Sequence, residues 1–230
     1  MSFGLTESLF NFYEREGYAP VYLRQTANEL TGEHSCVLLR VLSLSLAHPQ
    51  PLDCSALPDA PSDGWLASFV ADFQHRFINL LAFQFRAFPA RLALRLLAKK
   101  LVLSVADASQ KDVYVKPLTD TEIRFFLSRD DLSRLESYAR NYVDYHMILD
   151  TIPEIARLYF NRRFGDLSMS ALQETILIGQ GLQHKTIDEL LGEFPKVASA
   201  QLLSLFNRSV IKIVKALQVG DNRGYSRRIR

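Results

Sequence analysis

Two clusters of basic residues carry the strongest chemical signal in the sequence. The stretch 74–101 has no acidic residue and contains six cations, namely Arg76, Arg86, Arg91, Arg95, Lys99 and Lys100. Arg91, Arg95 and Lys99 are four residues apart, so they would share one face of a helix. Like charges at this spacing repel by about 0.2–0.5 kcal/mol per pair. The pattern therefore favours contact with the phosphates of RNA over a merely solvated face.

The second cluster lies at the C-terminal end, where residues 208–230 contain seven basic residues and one acidic residue. Arg208, Lys212 and Lys215 would form a basic edge on a helix, opposite its apolar stripe. Such residues also suit the negative end of a helix dipole, which leaves an ordinary structural explanation open. Smaller basic sites are Arg162 with Arg163, and Lys185 beside His184. We predict RNA contact for all of these arginines and lysines.

The sequence offers no catalytic or metal-binding constellation. Cys36 and Cys54 are far apart and lack the spacing of metal ligands, so we expect two reduced thiols. The Gly179–Gly181 segment has no preceding strand and no lysine at the spacing of a phosphate loop, which favours a helix end or a close helix crossing. We expect His34 and His146 to be structural residues. The prediction is no catalytic residue and no metal.

Bulk composition leaves the function open. The chain has 230 residues, of which 48% are hydrophobic, and a formal net charge of +2. A sizeable core is therefore expected, and overall charge alone does not indicate a nucleic-acid binder. No apolar run approaches the ~20 residues that a membrane span needs. With no signal peptide at its start, the sequence predicts a soluble intracellular protein without a membrane partner.

The first 46 residues read as one helix followed by two strands. Thr6 can cap the helix and Gly17 can end it. Residues 20–24 and 36–42 are rich in strand-forming residues. One helix and a two-stranded hairpin cannot bury their own apolar faces. We therefore expect this segment to be a small α/β remnant that joins a larger sheet, with the chain beginning inside that domain.

The remaining sequence is mainly helical, which makes the predicted fold class mainly α with an α/β remnant before it. Prolines make 47–64 a linker. The predicted domains are then 65–219, a helical RNA-binding domain, and 220–230, a basic and frayed tail. The predicted helices are 65–88, 90–103, 120–126, 128–150 capped by Ser128, a helix with Pro153 in its first turn, one capped by Ser168, one capped by Thr186, and 198–217, while residues 113–115 could form a short strand.

Long segments of the chain closely resemble one protein family. They are 17–36 (GYAPVYLRQTANELTGEHSC), 135–146 (LESYARNYVDYH), 165–168 (GDLS), 181–185 (GLQHK) and 205–208 (LFNR). These segments look like the eukaryotic RNA cytidine acetyltransferases, which make N4-acetylcytidine in 18S rRNA and in tRNA. The resemblance covers most of the chain, leaving out the linker, residues 104–128 and the last dozen residues.

The resemblance implies a domain layout and one cofactor contact. In that family a helicase-like ATPase module and a GNAT acetyltransferase domain precede a helical domain proposed to bind tRNA. This chain would hold the last helix and β-hairpin of the GNAT fold and the helical domain. Arg15 matches an arginine that contacts acetyl-CoA in the family, and Tyr22 and His34 would lie near the site. The ATP and Mg²⁺ sites would lie elsewhere in the full-length enzyme.

The resemblance also implies acetyl transfer to the N4 amine of cytidine, coupled to ATP hydrolysis. The implied location is the nucleus, and within it the nucleolus. Expected partners are 18S pre-rRNA, tRNA, a tRNA adaptor protein and a pre-ribosomal small-subunit particle. The helical domain would grip RNA by charge and shape. We expect the fragment alone to be inactive. The alternative is a protein-interaction or homodimerisation module without RNA contact, which the wide apolar stripe of the last helix would suit.

Overall fold

The computed structural model describes residues 1–41, 64–98, 118–165 and 167–226. Most of the predicted linker, Lys99 and Lys100, residues 113–115 and the last four residues lie outside this part of the chain. The chain divides into two compact units, and the division falls between Phe77 and Ile78. We call 1–41 with 64–77 the α/β unit, and the described residues from 78 onward the helical unit. The predicted domain limits stay predictions.

The α/β unit begins with a three-stranded antiparallel sheet and one helix. Its elements are β1 (Ser2–Gly4), α1 (Glu7–Arg15), β2 (Ala19–Leu23) and β3 (Ser35–Leu39). The strand order is β1-β3-β2, and a bulge between Pro20 and Tyr22 interrupts the pairing of β2 with β3. The predicted helix and hairpin are confirmed. The strand β1 was not predicted, because three residues are too few to show an alternating pattern.

Local signals set both ends of α1, as predicted. The side chain of Thr6 accepts a hydrogen bond from the backbone amide of Leu9 at 3.3 Å. Gly17 follows the helix with a φ of +89°, a conformation that glycine adopts without steric cost. The next amide, of Tyr18, then donates to the carbonyl of Tyr13, which satisfies a carbonyl at the helix end.

A helix beyond the predicted linker covers part of the sheet. Helix α2 (Gly64–Leu80) places Leu66 and Val70 in a buried cluster with Ala19 of β2. Burying each large side chain of this kind contributes about 1.5–3 kcal/mol relative to exposure. The opening hairpin therefore receives some of its apolar cover from within this chain. The thiol of Cys36 is also buried in this unit, and burial raises its pKa to about 12.

The helical unit contains seven further α-helices and two shorter helical turns in its described residues. They are α3 (Ala90–Ala98), α4 (Asp120–Phe126), α5 (Arg129–Ala139), a 3₁₀ turn (Tyr145–Ile148), α6 (Ile152–Phe160), α7 (Ala171–Leu177), a π turn (Ile178–Leu182), α8 (Ile187–Glu193) and α9 (Ser199–Ser226). No helix in the described part of the chain is long and apolar enough to cross a bilayer.

Helix α9 is the centre of the packing in the helical unit. It contacts α4, α5, α7 and α8. Leu202, Phe206, Val210 and Ile213 are fully buried, so the predicted apolar stripe is confirmed. The predicted end near residue 217 is wrong, because the helix continues through Ser226. Gly220 and Gly224 lie within this helix. Glycine weakens a helix without ending it unless its backbone turns left-handed, and no proline follows these two residues in the sequence.

Two predicted helices end earlier than expected. Helix α2 stops at Leu80 instead of Phe88, and α5 stops at Ala139 instead of Asp150. The α5 exit is set by Asn141, whose φ of +60° is a left-handed conformation that asparagine tolerates. The 3₁₀ turn that follows starts a separate element with Asp144 as its cap.

The predicted helix starts mostly agree with the structure. Ser128 and Thr186 each form a reciprocal capping box with the acidic residue three positions later, and Pro153 lies in the first turn of α6. The prediction that Ser168 caps a helix is wrong. Ser170 caps α7 instead, together with Gln173.

The glycine pair of the π turn lies at a close helix crossing, as the sequence indicated. A Cβ atom on Gly181 would come within 2.4 Å of the Ala156 Cβ and 3.1 Å of the Ile152 carbonyl oxygen. A Cβ on Gly179 would come within 2.4 Å of the Leu190 side chain. These two glycines let the π turn pack directly on α6 and α8.

Candidate nucleic-acid interface

Helix α3 is anchored by one face and carries arginines on another. Ala90, Ala93 and Leu96 have no exposed surface, and the helix packs against α7 and the π turn. Arg91 is exposed, whereas Arg95 is partly buried. Arg91 has no ion-pair partner among the residues that the structure describes. It therefore presents to solvent a guanidinium that no described carboxylate neutralises.

The basic edge predicted on α9 exists in the structure. Arg208, Lys212 and Lys215 are all exposed. Lys212 donates to the carbonyl of Ser168 at 3.1 Å and to Gln173 Oε1 at 3.4 Å. Within the described residues, Arg208 and Lys215 have no ion pair. The edge therefore combines two solvent-facing charges with one that helps to hold the start of α7.

Other predicted RNA contacts lie beside carboxylates. In the α/β unit, Arg76 pairs with Asp72 at 3.5 Å. In the helical unit, Arg163 pairs with Glu122 at 3.3 Å, while its neighbour Arg162 is exposed. Exposed pairs contribute only about 0–1 kcal/mol, so they do not prevent a phosphate from competing for the arginine. They do reduce the positive potential around these side chains.

Lys185 lies inside the helical unit. Its side chain is only 6% exposed, and its Nζ donates to the carbonyl of Phe88 at 2.6 Å and pairs with Glu193. The other carboxylate oxygen of Glu193 accepts from the amide of Ala90 at 2.7 Å. Lys185 therefore ties the loop before α3 to α8. We leave it out of the proposed RNA surface, because its ammonium group does not face solvent.

Gln183 holds the same loop from the other side. Its side chain is fully buried, and Nε2 donates to the carbonyls of Phe85 at 3.1 Å and Phe88 at 2.8 Å. We call Gln183, Lys185 and Glu193 the latch. The latch fixes residues 85–90, which lead directly into Arg91. Sequence reasoning missed it, because its members lie about a hundred positions from the loop that they bind.

An ion pair between Arg86 and Glu189 lies on the exposed side of the latch. Arg86 binds Glu189 at 3.0 Å and also donates to the carbonyl of His184 at 3.3 Å. Hydrogen bonds from the Thr186 amide and from Arg86 hold the pKa of Glu189 below its usual value. Burial, followed by the charges of Arg157 and Arg86, lowers the pKa of His184. Arg86 therefore supports the latch, and its contact with RNA stays a prediction.

The α/β unit places the predicted cofactor contact on its surface. Arg15 is exposed at the C-terminal end of α1 and has no ion pair within the described residues. Arg40 donates to the carbonyl of Glu16, the residue after Arg15, at 2.8 Å. A second guanidinium therefore lies at this end of the helix. Tyr22 is 45% exposed, and His34 Nδ1 lies 2.8 Å from the carbonyl oxygen of Arg24. A solvent-facing arginine fits contact with a cofactor phosphate.

The described residues contain no group of three or more His, Cys, Asp or Glu side chains that could hold a metal ion. A cleft of about 270 Å³ lies between α4, α5 and α9, with Arg124, Arg129 and Glu136 among its lining residues. Sites for drug-sized ligands usually measure about 300–1,000 Å³, so this cleft is small for a large cofactor. The surface cations remain the main chemical feature of the helical unit.

Family models match both units of the chain. A model described as "Possible tRNA binding domain" matches residues 65–228, which is more than half of the sequence. A model described as "GNAT acetyltransferase 2" matches residues 1–43. The chain thus matches a GNAT acetyltransferase model in its first 43 residues and a model of the tRNA-binding type over residues 65–228.

Three similar proteins carry the same name. The RNA cytidine acetyltransferases of Dictyostelium discoideum and Homo sapiens are each 43% identical to this chain over 93% and 94% of its length. That of Saccharomyces cerevisiae is 39% identical over 93% of the chain. The chain belongs to the RNA cytidine acetyltransferase family. It spans about a fifth of the length of the curated relatives it matches, since each alignment covers 19% of the relative.

Proposed function

We propose that the helical unit holds RNA while the GNAT part of an RNA cytidine acetyltransferase modifies it. The observation that carries the proposal is the exposure of Arg91, Arg208 and Lys215 without ion pairs inside the described residues. These cations lie in the region matched by the tRNA-binding model. Free basic groups on a rigid helical surface are suited to phosphate contacts, which fix the position of an RNA without reading its sequence.

For the whole enzyme we propose ATP-dependent acetylation of the cytidine N4 amine in 18S rRNA and tRNA. Acetyl-CoA would supply the acetyl group as a thioester, and Arg15 would bind one of its phosphates. We further propose a nucleolar location, with a tRNA adaptor protein and a pre-ribosomal small-subunit particle as partners. Because the GNAT acetyltransferase model matches only residues 1–43, we expect that this chain alone does not acetylate RNA.

RNA binding by this chain should depend steeply on salt. A surface that neutralises about five phosphates loses on the order of a hundredfold in affinity between about 50 and 200 mM salt. Fluorescence anisotropy of labelled tRNA with the full chain measures this directly. An affinity that is absent at low salt, or that is independent of salt, would contradict the proposal.

Charge reversal on α3 should weaken tRNA binding more than the same charge reversal elsewhere on the helical unit. The double change Arg91→Glu with Arg95→Glu should reduce tRNA affinity about tenfold or more, because phosphate attraction is replaced by repulsion. The matched comparison uses single changes, Arg91→Glu against Lys196→Glu. Both alter the net charge equally, and Lys196 is an exposed residue between α8 and α9. Equal losses for these two single variants would place RNA elsewhere than α3.

The second candidate function is a protein-interaction or homodimerisation module. It is favoured by exposed aromatic rings, since Phe83 is 70% and Phe125 is 85% exposed. An apolar interface of this kind would persist at moderate salt, unlike phosphate contacts. Analytical ultracentrifugation at about 200 mM salt tests it, because a dimer that survives without RNA binding would support this alternative.

A further inference from the structure

We propose that Tyr142 is a stacking platform for an unpaired nucleotide of the bound RNA, with Arg140 and Arg208 contacting the phosphates beside that nucleotide. This inference rests on the proposed function and specifies which part of the RNA the helical unit holds. The site joins two segments that stood out in the sequence, 135–146 and 205–208. The structure brings them together at the C-terminal end of α5.

Tyr142 faces solvent although its neighbours in the turn are anchored. Its side chain is 76% exposed, whereas Tyr138, four residues earlier, is only 7% exposed. A single exposed aromatic residue is common on protein surfaces and indicates nothing alone. The support beneath this ring and the charges around it are what distinguish it from the other exposed rings.

The backbone that carries Tyr142 is held at several points. Its amide donates to the carbonyl of Ser137 at 2.9 Å, which closes the end of α5. Asn141 adopts φ +60°, and its Oδ1 accepts a hydrogen bond from Asn207 Nδ2 at 3.1 Å. Glycine would also allow this φ but could not accept that bond. Asparagine therefore both shapes the turn and ties it to α9.

Packing under the turn adds to this rigidity. The rings of Tyr138 and Phe206 are 6.2 Å apart, and both are buried between α5 and α9. Arg134 donates to the carbonyl of Met147 at 2.9 Å and binds Asp150, which holds the 3₁₀ turn that follows. A ring on a fixed backbone loses little freedom when a base stacks on it.

The charges around the ring suit a polyanion. Arg140 precedes Asn141 and Arg208 follows Asn207, so each arginine is adjacent in sequence to one of the two hydrogen-bonded asparagines. Both are exposed, and neither has an ion pair in the described part of the chain. Of the acidic residues in these segments, Asp144 accepts at Oδ1 from the backbone amide of Tyr145, and Glu136, one turn before Arg140, accepts from Gln218. Arg140 and Arg208 therefore remain exposed cations beside the turn that carries the ring.

An exposed aromatic ring on a turn that also carries exposed arginines favours an unpaired nucleotide over a duplex. Bases in an RNA helix are stacked on each other, so a protein ring can reach only a base in a loop, bulge or end. Such stacking tolerates any base, because every base has a π-face. Phosphates on either side of that base would meet the two guanidinium groups.

The test compares two RNAs and two substitutions in the full chain. The probes are a short single-stranded RNA containing 2-aminopurine and a blunt duplex of the same length. Tyr142→Ala should weaken single-strand binding about fivefold or more and abolish quenching of the 2-aminopurine fluorescence. It should change duplex affinity less than about twofold. Tyr142→Phe keeps the ring and should retain both signals.

Failure of the stacking site and failure of the proposed RNA-binding function would give different results. Single-strand affinity that is unchanged in Tyr142→Ala would overturn the stacking site, and it would leave the salt-dependent RNA surface intact. The same unchanged affinity is expected if the ring serves a protein partner. If the unaltered chain binds neither probe at low salt, both the inference and the proposed function fail.

Discussion

Replacing Lys185 with methionine should lower the free energy of unfolding of the helical unit by about 3 kcal/mol or more. Methionine fills similar space, but it leaves the Glu193 carboxylate only 21% exposed and without its cation. The change also removes the hydrogen bond from Nζ to the carbonyl of Phe88. Removing one partner of a buried pair is costly, because the remaining charge has lost its solvation. Urea denaturation followed by circular dichroism measures the loss.

Two further variants test whether the expected loss of stability comes from the latch. Lys196→Met removes an exposed lysine and should change stability by less than about 0.5 kcal/mol. Adding Glu193→Gln to Lys185→Met should recover part of the stability. Glutamine carries no charge to desolvate, yet its side-chain oxygen can still accept from the amide of Ala90. A double variant that is less stable than Lys185→Met alone would refute the buried charge as the cause.

The latch also explains what the sequence could and could not predict about the fold. The capping boxes at Ser128 and Thr186 were predictable, because each joins residues only three positions apart. The end of α2 was not, since its apolar pattern continues to Phe88. In the structure α2 ends at Leu80, whose carbonyl accepts from the amides of Phe83 and Phe85 in the turns that follow. Further along these turns the carbonyls of Phe85 and Phe88 accept from the distant side chain of Gln183, a contact that the apolar pattern does not show.

For the candidate site too, the sequence did not show the contacts between distant residues. The four-residue spacing of the arginines predicted a shared face of a helix, and both Arg91 and Arg95 lie on α3, where Arg91 is exposed and Arg95 is partly buried. Charge alone did not separate Arg91 from Lys185, because burial depends on contacts with Phe88 and Glu193 that the sequence does not show. The RNA contacts themselves stay predictions. Sequence spacing could identify a charged face, and the structure was needed to tell which charges reach solvent.

Adding one methyl group at Gly181 should destabilise the helical unit by about 3 kcal/mol, at the upper end of the cost of overpacking. In Gly181→Ala the new Cβ would lie 2.4 Å from the Ala156 Cβ and 3.1 Å from the carbonyl oxygen of Ile152. A flexible side chain could move aside, but the carbonyl belongs to the first turn of α6 and cannot. The π turn must then separate from α6, and loss of that close packing lowers the urea midpoint.

Gly192→Ala is the matched control, and its effect should have the opposite sign. Gly192 lies within α8, and no atom lies within 4 Å of the position that its Cβ would occupy. Alanine there should raise the free energy of unfolding by about 0.5–1 kcal/mol through its higher helix propensity. The two variants make the same chemical change in neighbouring elements, so only the space around each glycine distinguishes them. If both variants shift the urea midpoint in the same direction, the close crossing at Gly181 is not what requires glycine in this segment.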